Sequence, residues 1–228
     1  MSDGILDVFE DKEENRKKAN RINGVVVAKV CDTKDPDKLA RVKVFYPWMD
    51  ENTQSDWVRV ASFMAGKARG AVFLPDVDDE VLVAFEHGNV ERPYIIGALY
   101  SSVDTPPETN ADGKNNIKIL KSREGHTITI CDDPQKLKVE IKSKSGHTIT
   151  LDDKTGGEKI TIIDKAGSNK ITIDSVGNAI SIESQLELKL KATNITVEAT
   201  AQLNLKGAMI KAEASGITEV KGSLVKIN

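Results

Sequence analysis

The sequence predicts an all-β chain in two parts, a small barrel followed by a long stack of short strands. Three observations carry this expectation. The stretch from Gly125 to Asn228 repeats itself: Gly125-His126-Thr127-Ile128-Thr129-Ile130 returns as Gly146-His147-Thr148-Ile149-Thr150-Leu151. Shorter echoes follow at a spacing of roughly ten residues, the mark of a stacked architecture. Each echo alternates apolar and polar residues, the period of a strand with one buried face. The third observation is compositional: only 4% of the 228 residues are aromatic, which suits slender strand stacks better than a thick globular core.

The stack is read from Lys159-Ile160-Thr161-Ile162, Lys170-Ile171-Thr172-Ile173 and Ala179-Ile180-Ser181-Ile182. It continues through Leu188-Lys189-Leu190, Ile195-Thr196-Val197, Leu203-Asn204-Leu205 and Val225-Lys226-Ile227. Isoleucine and threonine suit pleated strands, and Gly146, Gly156, Gly157, Gly167 and Gly177 mark turns. Such an array cannot bury its apolar face alone, and open edges aggregate. Two closed forms compete: a single-chain β-solenoid, and a prism of three intertwined chains. Units this short put few apolar side chains inward, which favours three chains meeting at an axis. The expected inward set is Ile128, Ile130, Ile149, Leu151, Ile160, Ile162, Ile171, Ile173, Ile180, Ile182, Ile195, Val197, Leu203 and Leu205. Their threonine neighbours are expected outside. A needle of three chains would be roughly 50–60 Å long at ~4.8 Å per strand.

Ahead of the stack, residues 1–20 read as a tether or docking segment. Ile5, Leu6, Val8 and Phe9 form an apolar cluster before an almost wholly charged run. Residues 21–101 read as a barrel of five strands. Ile22–Val30 and Ala40–Tyr46 form a hairpin around the turn at Pro36. Trp57–Val60, Glu80–Glu86 and Pro93–Tyr100 supply the others. Gly66–Gly70 is expected to be a mobile loop, and no helix is convincing. Five strands in about eighty residues suggest a Greek-key barrel such as an OB-fold. Residues 102–116, with Pro106, Pro107 and Gly113, read as a linker, and 117–228 as the needle.

Charge and motif content exclude several classes. The net charge is -3, which indicates no general affinity for polyanions. Residues 1–110 carry 14 basic and 20 acidic groups, and residues 111–228 carry 18 and 15. An OB-type nucleic-acid binder needs a basic groove with exposed aromatics. Here the barrel segment is acidic, and Trp48, Trp57 and Phe73 are read near strand ends or in core-like positions, so no nucleic-acid partner is expected. Cys31 and Cys131 sit in no metal or redox motif. His126 and His147 occupy matching repeat positions after turn glycines, where a turn-stabilising role outweighs a metal site. No Gly-x-Ser-x-Gly element or P-loop occurs. No enzyme, cofactor or metal is expected. Neither a signal peptide nor a run near ~18 apolar residues is read, in keeping with cytoplasmic synthesis.

Arg41–Val44, Trp57–Val60, the long run Phe73–Asn89 and Arg92–Tyr100 resemble the barrel of contractile-injection spikes. That group includes phage baseplate assembly protein V and the VgrG spikes of type VI secretion. The Gly-His-Thr-Ile-Thr repeats match the same group, and the resemblance covers about 21–228. It implies a homotrimer with an OB-fold collar and an intertwined triple-stranded β-helix needle. It implies a spike, assembled in the cytoplasm into a phage-like particle or secretion machine, that pierces a target membrane transiently on contraction. A separate hub or baseplate protein is then expected at the barrel end, docked by Ile5, Leu6, Val8 and Phe9. A PAAR-like tip protein, with any effector it carries, is expected on Leu224, Val225, Lys226, Ile227 and Asn228. The linker is too short for a catalytic domain. The alternative is a trimeric fibre or adhesin that binds cell-surface glycans.

Overall fold

The computed structural model describes residues 21–49 and 53–226. The chain is all-β, with a closed barrel followed by a single long sheet. The barrel strands are β1 (Val25–Asp32), β2 (Arg41–Phe45), β3 (Val58–Val60), β6 (Glu80–Phe85) and β7 (Pro93–Ala98). They close in the order β1-β2-β3-β7-β6, with only the β3–β7 pair parallel. Alternation decides which side chains enter. In β2 Val42 and Val44 are buried, and in β6 Val81, Val83 and Phe85. With Ala28, Val30, Val58, Tyr46 and Ile95 they form one apolar core. The small β-branched side chains fit a barrel this narrow and favour extended backbone.

Gly66–Gly70 departs from the expected mobile loop. It forms a small hairpin, β4 (Ala65–Gly66) with β5 (Arg69–Gly70). Two short backbone pairings suffice because Gly70 takes φ +144°; a Cβ there would lie 2.6 Å from the Met64 carbonyl oxygen. Trp48 and Phe73, expected near strand ends or in core-like positions, are 49% and 68% exposed.

After the barrel come β8 (Ile117–Lys121), β9 (Thr127–Cys131), β10 (Lys138–Lys142), β11 (Thr148–Asp152), β12 (Lys159–Ile163), β13 (Lys170–Asp174) and β14 (Ala179–Glu183). They lie in chain order as a seven-stranded antiparallel meander. The 21-residue sequence repeat is therefore a pair of strands with its two turns. β10 escaped the sequence pattern because Lys-Val-Glu-Ile-Lys lacks the threonines of its neighbours.

Along one end of the sheet the turns are copies of one another. Ser122 and Ser143 each accept the amide of the glycine three residues on, at 2.9 Å, through their carbonyls. Their hydroxyls accept the amides of His126 and His147 at 3.0 Å. Asp164 plays the same part for Gly167 and Ser168. Gly125, Gly146 and Gly167 take φ of +92°, +100° and +75°, which L side chains rarely adopt.

Residues 184–226 contain no strand. The echoes at Leu188–Leu190, Ile195–Val197 and Leu203–Leu205 alternate in sequence but have no backbone ladder partner among the described residues. A strand is defined by a ladder, and one copy supplies none here.

Candidate functional site

Strand register places the apolar residues of the sheet in two continuous ladders on one face. The first runs Leu120, Ile128, Ile141, Ile149, Ile162, Ile171, Ile182. The second runs Ile130, Val139, Leu151, Ile160, Ile173, Ile180. Ten of the fourteen residues expected to face inward lie in these ladders. Leu120, Val139 and Ile141 belong to them as well and were missed, although Val139 and Ile141 alternate within β10 as the others do. Ile195, Val197, Leu203 and Leu205 lie in the unpaired stretch and are 53–72% exposed.

Among the described residues nothing closes over the ladders. Their isoleucines and leucines are 39–72% exposed, and Cys131 is the one buried hydrophobic residue of the sheet. Scattered apolar residues are ordinary on a surface, but a contiguous face of this kind marks an interaction site. The opposite face carries Thr129, Glu140, Thr150, Thr161, Thr172 and Ser181 in one cross-strand row.

At the far edge the chain begins to fold under its own sheet. Asn169 holds this bend. Its Nδ2 donates to Asp164 Oδ2 at 2.9 Å, and its Oδ1 accepts the Gln185 amide at 3.2 Å. Ser184 Oγ lies 2.9 Å from both Asn169 Oδ1 and the Glu187 carbonyl oxygen. Leu188 thereby joins Ile141, Ile149, Ile162, Ile171 and Ile182 around an open concavity of about 800 Å³. The Asn169 hydrogen bonds hold the Asp164 carboxyl below its usual range.

The histidines serve the turns. His126 Nδ1 accepts the Lys144 amide at 3.3 Å, and His147 Nδ1 accepts the Lys165 amide at 3.3 Å, each tying one turn to the next copy. No group of three metal-ligating side chains converges among the described residues. Cys31 and Cys131 are both free thiols, and burial pushes Cys31 up. No helix among the described residues is long and apolar enough to cross a membrane. On the barrel, Arg41 bridges Asp35 and Asp37 at 2.7 and 2.6 Å. Barrel and sheet touch through Arg123 and Asp76, 2.9 Å apart.

Leu224, Val225 and Lys226, the described part of the expected tip platform, are exposed. Ile227 and Asn228, and the expected hub-docking residues Ile5, Leu6, Val8 and Phe9, lie outside the described residues.

Comparison with known proteins agrees with the barrel. Residues 26–100 match the type VI secretion system/phage-baseplate injector OB domain. The type VI secretion system spike protein VgrG5 of Pseudomonas aeruginosa is 41% identical over 88 residues, 36% of this chain and 11% of the relative. The spike protein VgrG1a of the same species is 35% identical over 97 residues, 40% of this chain and 15% of the relative. The actin cross-linking toxin VgrG1 of Vibrio cholerae is 38% identical over 82 residues, 34% of this chain and 8% of the relative. The matches thus span about a tenth of the length of these relatives. The closed five-stranded barrel in the order described coincides with the matched residues 26–100, and that part of the chain is similar to the injector OB domain and to the barrels of VgrG spike proteins.

Proposed function

We propose that three copies of this chain form the central spike of a contractile injection machine. The observation that carries this proposal is the pair of open apolar ladders. Three such sheets, turned with their ladders inward, cover one another and leave the threonine rows in water. Burial at about 25 cal/mol per Å² then favours assembly strongly. In this arrangement residues 117–183 of each chain build one face of a prism. Residues 184–226, without partners of their own, wind with the two other chains and complete their ladders between chains. Seven strands at ~4.8 Å give roughly 30 Å of prism, and the intertwined part extends it to roughly 50–60 Å.

The spike is synthesised in the cytoplasm and joined to a hub or baseplate protein at its barrel end. On contraction it punctures the target membrane and carries a tip protein with its effector. A PAAR-like tip protein docks by strand addition at Leu224, Val225, Lys226, Ile227 and Asn228, with main-chain hydrogen bonds giving the affinity. The chain's part in this is mechanical; the chemistry of the target belongs to the cargo.

Native mass spectrometry of the full chain tests the assembly. The expected species is three times the chain mass at micromolar concentration. A folded monomer under those conditions would overturn the proposal.

A further inference from the structure

The barrel carries a second open apolar surface. A groove of about 320 Å³ runs beside the β4–β5 hairpin, lined by Leu39, Val60, Phe63, Val72, Phe73 and Leu74 among others. Phe63 is 86% exposed and Phe73 68%, with their rings 6.4 Å apart. The groove wall is held by one backbone and one side-chain hydrogen bond. The Ala71 amide donates to the Met64 carbonyl at 3.0 Å, and Ser62 Oγ donates to the Ala71 carbonyl at 2.7 Å. Its charged surroundings are basic. Arg59 lines it, and Lys67 and Arg69 stand exposed at the hairpin. The carboxylates next to Leu39, Asp35 and Asp37, are already neutralised by Arg41.

A complementary segment exists in the same chain. Between Asp3 and Glu14 it places Ile5, Leu6, Val8 and Phe9 among six carboxylates and a single lysine. Aromatic and aliphatic side chains suit the groove, and the acidic flanks suit Lys67 and Arg69. The eleven residues from Glu10 to Asn20 reach up to roughly 36 Å when extended. A barrel of this size is roughly 30 Å across, so the reach suffices.

We propose that the N-terminal segment of this chain docks into this groove, with its apolar residues on Phe63 and Phe73 and its carboxylates on Lys67 and Arg69. A hub protein that takes up the segment must then displace it from the barrel. The proposal is independent of the trimer: it concerns one barrel and one segment.

Photo-cross-linking in the full chain tests it, with p-benzoylphenylalanine in place of Phe9. The expected cross-links map to Phe63–Leu74, within a chain or to a neighbouring copy. The double variant Lys67→Glu, Arg69→Glu is expected to lower their yield roughly tenfold, as added salt does. Asp7→Lys with Glu10→Lys in that background is expected to restore it. Lys67 and Arg69 lie outside the barrel core, so the barrel's folding is not at stake. Cross-links scattered elsewhere, or a yield that ignores both charge reversals, would overturn the proposal.

Discussion

Asp35 shows how one side chain can organise a turn. Its carboxylate accepts the Leu39 amide at 2.9 Å and the Arg41 guanidinium at 2.9 and 2.7 Å. The Arg41 hydrogen bonds, helped by backbone amides, hold its carboxyl well below the usual range. The sign follows from linkage. A carboxyl lowered on folding contributes stability above the unfolded value, near pH 4, and loses it as pH falls towards the folded value. Asp35→Asn is therefore expected to flatten the acid limb of the barrel's thermal-melt profile below about pH 4, and to lower the neutral plateau by a constant offset. An unchanged acid limb would show that the ion pair does not couple to folding. At Gly146 the backbone itself is the constraint. Gly146→Ala forces an L side chain into φ +100°, at a cost of about 1–2 kcal/mol. A melt indistinguishable from the parent would mean that the turn relaxes.

At the scale of elements, Asn169 marks where pairing within the chain ends. It ties the β12–β13 turn to the start of the 184–188 bend, which carries Leu188 over the ladders. Asn169→Leu removes an acceptor and a donor together, at a cost of about 1 kcal/mol. Amide exchange at Gln185 is expected to quicken roughly fivefold, while amides in β9–β11 keep their protection. Uniform loss across the sheet would instead mean that the bend is part of one cooperative unit. The ladders belong to this scale too. Ile171→Asp is expected to abolish trimers, since assembly would bury three carboxylates close together without partners. Size-exclusion chromatography reads this directly, and Thr172→Asp on the opposite face is the control that should still assemble. If both variants assemble alike, the buried face is misassigned.

The whole molecule divides its stability unequally. The barrel has a closed core whose eight best-buried side chains are at most 1% exposed: Ala28, Val30, Val42, Val44, Val58, Val81, Val83 and Ile95. The sheet has no such core in one chain. Thermal unfolding is therefore expected to show a barrel transition independent of protein concentration and a sheet transition that rises with it, because association is linked to the second alone. Circular dichroism at protein concentrations a hundredfold apart measures this, and concentration-independent melting throughout would contradict trimer-dependent stability. An electron micrograph of the assembled particle gives the length, expected to be roughly 50–60 Å for the needle.

Much of this was legible in the sequence, because alternation and repeats act locally. Val42 and Val44 flank Lys43, and Val81 and Val83 recur at the same period of two across Leu82, a period that places side chains on one face without knowledge of their partners. The repeat Gly-His-Thr-Ile-Thr likewise marked turn, strand and face together. Other features depend on distant residues, and only the tertiary structure decided them. β10 alternates as its neighbours do but lacks their Thr-Ile repeat, and its pairing with β9 and β11 is what marks it as a strand of the same sheet. Phe73 stands 68% exposed beside Phe63, a placement its own segment does not dictate. Barrel closure rests on β3 meeting β7 in parallel, with Arg59 opposite Tyr94 and Val60 opposite Ile95. The difference in fate between Ile171–Ile173 and Ile195–Val197 is decided the same way. The two runs share one local pattern, but the first finds a backbone ladder on both sides within its chain and the second finds none, and a β-strand exists only where another backbone satisfies its hydrogen bonds.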